Sequence, residues 1–193
     1  MFASTFVARP FPRFAGPGAL FLLLAATPPA MAGEPSTHSL LETTVTDLSS
    51  GRQTPLSSYV SEHGRTATPL ALVFFEPECT WCARQLRDLE QRRQDDAGGL
   101  SALREPVLAS DGIAVRVLAV GVNGDAGELG RTLRRTGWHG PGIEAGRQLV
   151  SHLEGVPATP YWLLIDPATR SHVAIRGYLP PIKVQRLINA LAS

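Results

Sequence analysis

Six consecutive apolar residues, Leu70-Ala-Leu-Val-Phe-Phe75, constrain the fold more than any other stretch of this 193-residue chain. An apolar run without alternation reads as a strand covered on both faces, which requires layers of structure above and below it. The period then changes. Cys82, Leu86 and Leu89 recur at helical spacing, opposite Arg84, Arg87, Asp88 and Glu90, so an amphipathic helix is expected from Thr80 to about Gly98-Gly99. A further helical piece is expected from Leu100 to about Ala109.

The rest of the chain alternates in the same way. Residues 39–60 read as a short β-hairpin with a helical or irregular exit, with Leu41, Val45 and Leu48 apolar and Ser50-Gly51 at the turn. Ile113 to Val120 is the next strand, and Asp125 to Thr136 a helix with Leu129 and Leu133 inward and Gly137 as its stop. A second short helix is expected from Glu144 to Glu154. Tyr161 to Ile165 and His172 to Arg176 read as strands joined by a turn, and Ile182 to Leu191 as a closing helix. This order, ββ-β-α-β-α-β-β-α, predicts an α/β fold with a central mixed sheet and helices on both faces.

Cys79 and Cys82 are the two cysteines of the chain, and they fall where the apolar strand gives way to the helix. Two intervening residues put both sulfurs on one side of the first helical turn, within reach of a disulfide. A thiol there meets unpaired backbone N–H groups and the positive end of the helix dipole, both of which favour thiolate. Three other readings of the pair are weaker. A structural zinc site wants four ligands, and His38, His63, His139, His152 and His172 are scattered singly. Covalent haem attachment needs His directly after Cys82, where the chain has Ala83. An inert disulfide would close too short a loop to restrict the unfolded chain much. No metal or cofactor is called for by the redox reading.

The first 32 residues carry Arg9 and Arg13, the apolar run from Ala19 to Ala26, and small residues at Ala30 and Ala32. This is the pattern of a cleaved secretory signal, with cleavage expected after Ala32, and the run is too short to span a bilayer. The alternative is a segment retained as an anchor. Removing two arginines and no acid moves the formal net charge from +1 to −1. A near-neutral surface carries no footprint for nucleic acid or anionic membrane, and no stable membrane insertion is expected after cleavage. Residues 33–193 suffice for one compact domain, with 33–69 as its hairpin and loop extension.

Thr159-Pro160, directly before the Tyr161 strand, is the remaining informative pair. A proline at a strand start cannot donate to the ladder, so it leaves neighbouring backbone groups open to another chain. A cis peptide there would turn Thr159 toward the cysteines; an ordinary trans proline ending a loop is the plainer alternative.

The segment Phe74-Phe-Glu-Pro-Glu-Cys-Thr-Trp-Cys82, followed about 75 residues later by Gly155-Val-Pro-Ala-Thr-Pro-Tyr-Trp-Leu-Leu-Ile-Asp166, resembles the thioredoxin superfamily. The leader from Thr44 to Tyr59 resembles the N-terminal hairpin of its TlpA-like, or redoxin, branch. The resemblance covers nearly all of residues 40–193. It implies a thioredoxin-like fold and a thiol–disulfide oxidoreductase, periplasmic or secreted, with Cys79 attacking and Cys82 resolving. Pro160 would be the cis-proline opposite them, with Thr159 presenting backbone groups to substrate, and partners would be protein disulfides or dithiols and a separate redox protein; Trp81, inside the motif where the family has no tryptophan, is expected to pack or to contact the substrate rather than to catalyse. The chain departs from the family where the common Trp-Cys-Gly-Pro-Cys becomes Glu-Cys-Thr-Trp-Cys. The buried acid that thioredoxins proper carry six residues before the first cysteine is here Val73, which brings Glu76 and Glu78 forward as proton acceptors, Glu76 first. The direction expected is reduction; a DsbA-like oxidase, a DsbC-like isomerase and a non-catalytic peptide-binding module are the alternatives. A peroxiredoxin-like peroxidase is disfavoured, because Glu76 stands where that family wants Thr or Ser.

Overall fold

The computed structural model describes residues 37–61, 68–97, 107–110, 113–153, 155 and 158–190. The expected signal segment, 1–32, lies outside them. Residues 33–193 make one compact unit. Its elements are α1 (Thr37–Leu41), β1 (Thr44–Asp47), β2 (Gln53–Pro55), α2 (Ser58–Ser61), β3 (Leu70–Phe75), α3 (Thr80–Ala97), β4 (Val107–Ser110) and β5 (Ile113–Gly121). They continue with α4 (Ala126–Thr136), β6 (Gly142–Glu144), α5 (Arg147–His152), β7 (Tyr161–Asp166), β8 (Ser171–Arg176) and α6 (Pro181–Ala190).

Strand β3 is buried along its whole length, as its composition requires. It pairs with β5 in parallel and with β7 antiparallel, which makes the sheet mixed. Its side chains alternate between two packed layers. Ala71, Val73 and Phe75 join Cys82, Leu86 and Leu89 of α3, Leu129 and Leu133 of α4, and Val184 of α6. Leu70, Leu72 and Phe74 join Leu40 of α1, Leu56 before α2 and Leu149 of α5 on the opposite face. Among the described residues the strand order is β2-β1-β6-β5-β3-β7-β8, with β4 paired to the first half of β5.

The local signals are met where they are strongest. In α4, Asp125 and Glu128 form a reciprocal capping box, and Gly137 ends the helix in the left-handed region at φ 72°. The Trp138 N–H then closes back on the Leu133 carbonyl at 3.1 Å. The β1–β2 turn is built by Asp47, whose Oδ1 accepts from the backbone and hydroxyl of both Ser49 and Ser50.

Three expectations are corrected. Residues 107–110 are strand β4, not the end of a helix; Ser110 pairs with Ile113, so the segment folds back on β5 as a hairpin. The helix expected from Glu144 to Glu154 starts only at Arg147 as α5, because Glu144 ends the short strand β6, which lies between β1 and β5. Helix α1, placed within the hairpin region by the sequence reading, is instead a separate turn, with the Thr37 hydroxyl donating to the Arg170 carbonyl at 2.7 Å.

Helix α3 is tied to the loop after α4 by a carboxylate. Glu90 is buried and accepts from Arg93 Nε at 3.1 Å, Gln94 at 3.2 Å and the His139 backbone N–H at 3.2 Å. Burial alone would push this carboxyl up, but the hydrogen bonds from Arg93, His139 and Gln94 outweigh it and hold it at about 2. A depressed folded value means that Glu90 stabilises the fold fully above its ordinary 4.5. That contribution falls away as pH drops from there through about 2. We expect Glu90→Gln to destabilise the protein at pH 7 by on the order of 2 kcal/mol and by almost nothing at pH 2, as read from urea midpoints across pH.

Candidate active site

The backbone that leaves β3 makes a tight loop before α3. The Val122 N–H donates to the Phe75 carbonyl at 3.0 Å, and the Cys79 N–H to the Glu76 carbonyl at 3.3 Å. Asn123 Nδ2 donates to Glu76 Oε1 at 3.2 Å. Cys79 then stands immediately before the helix, and its carbonyl receives the Ala83 N–H at 3.0 Å as the first helical bond.

Cys79 and Cys82 are joined in a disulfide with a Cα–Cα distance of 5.2 Å. The two sulfurs differ in environment. Cys82 is 1% exposed and belongs to the core layer that holds Val73, Phe75 and Leu86, whereas Cys79 is half-buried. The Cys82 backbone N–H donates to Cys79 Sγ at 3.1 Å. That donor, together with the helix N-terminus, favours negative charge on Cys79 once the disulfide opens.

The Thr159–Pro160 peptide is cis, and the Thr159 carbonyl oxygen lies 3.6 Å from Cys79 Sγ. Two segments separated by 80 residues therefore meet at one sulfur. Pro160 is buried, and its carbonyl accepts the Gly177 N–H at 2.8 Å, which fastens the loop after β8 to the same corner. Trp81 is 56% exposed and stands beside Tyr178, with ring centroids 5.6 Å apart. Glu78 is exposed, and the Glu76 side chain is engaged with Asn123 rather than with a sulfur.

The sequence reading missed Gln85 and Tyr178. Gln85 is 1% exposed; its Nε2 donates to the Leu179 carbonyl at 3.0 Å, and its Oε1 accepts the Leu179 N–H at 2.7 Å. A polar residue on the apolar side of α3, between Cys82 and Leu89, was the available signal. It fixes the segment that carries Tyr178. The phenol of Tyr178 donates to Asp88, which raises its ionisation above the ordinary tyrosine value.

Comparison with known proteins places this architecture. No family model matches the sequence, and no curated protein matches it. Solved structures do match. A secreted Mycobacterium tuberculosis disulfide oxidoreductase homologous to E. coli DsbE superposes with a TM-score of 0.57 at 16% identity, covering 78% of this chain and 97% of its own. The dsbF protein of MTB gives 0.58 at 14% identity, covering 79% and 97%. A thiol:disulfide interchange protein of the thioredoxin family from Chlorobium tepidum gives 0.57 at 14% identity, covering 78% and 93%.

The fold is thioredoxin-like. At these identities the likeness speaks for the fold alone, and the expected α/β class with a central mixed sheet is met. Within the thioredoxin-like fold, the disulfide sits at the end of β3 and the cis-proline at the start of β7. Gln85 ties helix α3 to the segment after β8. We expect Gln85→Ala to strand both backbone groups of Leu179 in the interior and to cost about 2 kcal/mol, measured as a lowered urea midpoint with unchanged m.

Proposed function

We propose that the protein is a thiol–disulfide oxidoreductase that acts on protein disulfides outside the cytoplasm, with reduction as its working direction. The observation that carries this reading is the half-buried Cys79 sulfur at the start of α3. It accepts the Cys82 N–H and lies against the Thr159 carbonyl beside the cis-proline.

The chemistry follows from the difference between the two sulfurs. In the reduced protein, the Cys79 thiolate attacks one sulfur of a substrate disulfide. A Cys79–substrate disulfide forms, the substrate S–S bond breaks, and the departing substrate thiolate takes a proton from solvent. Cys82, deprotonated in turn, attacks Cys79 Sγ and expels the second substrate sulfur as a thiolate that takes a proton from solvent, which leaves the Cys79–Cys82 disulfide. Glu76, fixed at the same loop, is the proposed acceptor for the Cys82 proton. Two electrons have passed from the protein to the substrate, and a dithiol redox partner restores them.

Thr159 offers backbone groups to an extended substrate segment, in the manner of an added strand, and Trp81, exposed beside Tyr178, offers that segment a ring. Residues 1–32 act as a cleaved export signal in this proposal, leaving 33–193 in the periplasm or secreted. The secreted Mycobacterium tuberculosis relative of the fold supports that location. The resemblance of residues 44–59 to the TlpA-like leader supports reduction over oxidation.

Three outcomes are expected. The wild type reduces insulin with dithiothreitol as donor, and Cys79→Ser lowers the rate by at least about a hundredfold. Cys82→Ser accumulates a mixed disulfide through Cys79, visible by mass spectrometry and released by reductant. Equilibration in glutathione buffers gives a midpoint near that of thioredoxin, on the order of −270 mV; a value near −120 mV would reverse the direction. Equal turnover by wild type and Cys79→Ser would leave a peptide-binding module.

A further inference from the structure

Beside the disulfide, on the first two turns of α3, an arginine is stacked on two aromatic rings. The Arg84 guanidinium carbon lies 5.6 Å from the Trp81 ring centroid and 5.1 Å from that of Tyr178. Both distances are within cation–π range. Trp81 and Arg84 are three residues apart, so they share one face of the helix. Tyr178 follows Gly177, whose N–H is bound to the Pro160 carbonyl, and precedes Leu179, which Gln85 holds by two hydrogen bonds. The stack is thus fastened to the Thr159-Pro160 corner as well as to the helix that carries the cysteines.

A guanidinium carries five N–H donors in a fixed fork, and on Arg84 part of that set serves the Tyr178 side chain. Asp88 Oδ2 stands 3.9 Å from Arg84 Nε, a long i, i+4 ion pair beyond hydrogen-bond reach. Asp88 already accepts the Tyr178 hydroxyl. The Arg84 side chain remains 56% exposed. A planar cation braced by two rings and still more than half exposed has donors enough to meet the two oxygens of a further carboxylate, and little side-chain entropy is lost when one arrives.

We propose that Trp81, Arg84 and Tyr178 form a recognition ledge for an acidic side chain on the substrate protein, one that flanks the target cystine in the extended segment lying along Thr159. This inference rests on the redox reading above and gives it a substrate class. Tryptophan, tyrosine and arginine are also the residues most often found to dominate binding energy at protein interfaces.

The test uses peptides that carry one cystine loop and differ only in a flanking residue, Glu, Gln or Lys. The probe is the second-order rate of peptide reduction by the reduced protein. The wild type should reduce the Glu peptide about three- to fivefold faster than the Gln peptide, with the Lys peptide slowest. The spread should shrink in about 0.5 M salt. Arg84→Gln should bring the three rates together, whereas Arg87→Gln, which removes the same charge from an exposed position on the same helix, should keep them apart. Equal wild-type rates on all three peptides, or an Arg84→Gln variant that still discriminates, would overturn the ledge and leave the redox reading standing. Failure to reduce any of the three would overturn the redox reading and the ledge together.

Discussion

The start of α3 is held from below. Cys82, Leu86 and Leu89 are sunk into the layer beneath β3, and Gln85 and Glu90 on the same helix are bound to the loops on either side. A helix anchored so firmly cannot fray at its first turn without exposing that layer. Its N-terminal N–H groups therefore stay aimed at the position of Cys79. One of them, from Cys82, already reaches the sulfur. The chemistry proposed for Cys79 depends on this anchoring: a thiol on a loose turn would keep neither the donor nor the dipole.

The second half of the site arrives through strand register. β7 runs antiparallel to β3, with Leu70 opposite Ile165 and Phe74 opposite Tyr161. The residues before Tyr161 must then lie just beyond the C-terminal end of β3, which is where the cysteine loop emerges. A shift of two residues in this pairing would carry Thr159 about 7 Å away and separate the two motifs.

Features that depend on near neighbours in the chain were legible in the sequence. The burial of β3, the face of α3, the stop of α4 at Gly137, and the setting of Cys79 at a helix start follow from spacing and turn chemistry. The thioredoxin-like fold also followed, from the cysteine pair and Thr159-Pro160 taken together. What escaped depends on partners far away. β6 has three residues, too few for any periodicity to register, and is a strand because β1 and β5 flank it. β4 reads like the end of a helix until its pairing with Ile113 is known. Gln85 and Tyr178 matter because α3 packs against the segment after β8, a contact 94 residues apart for Gln85 and Leu179. Trp81 could be placed near the sulfurs from sequence, but its arginine and tyrosine neighbours could not.

The central claim is that the half-buried Cys79, and not its fully buried neighbour Cys82, carries the ionised sulfur. Its most direct test is the rate of iodoacetamide alkylation of the reduced protein as a function of pH, with the adduct located by peptide mass spectrometry. The account predicts modification at Cys79 with a midpoint well below the ordinary thiol value of about 8.5. First modification at Cys82, or a midpoint at or above that value, would contradict it.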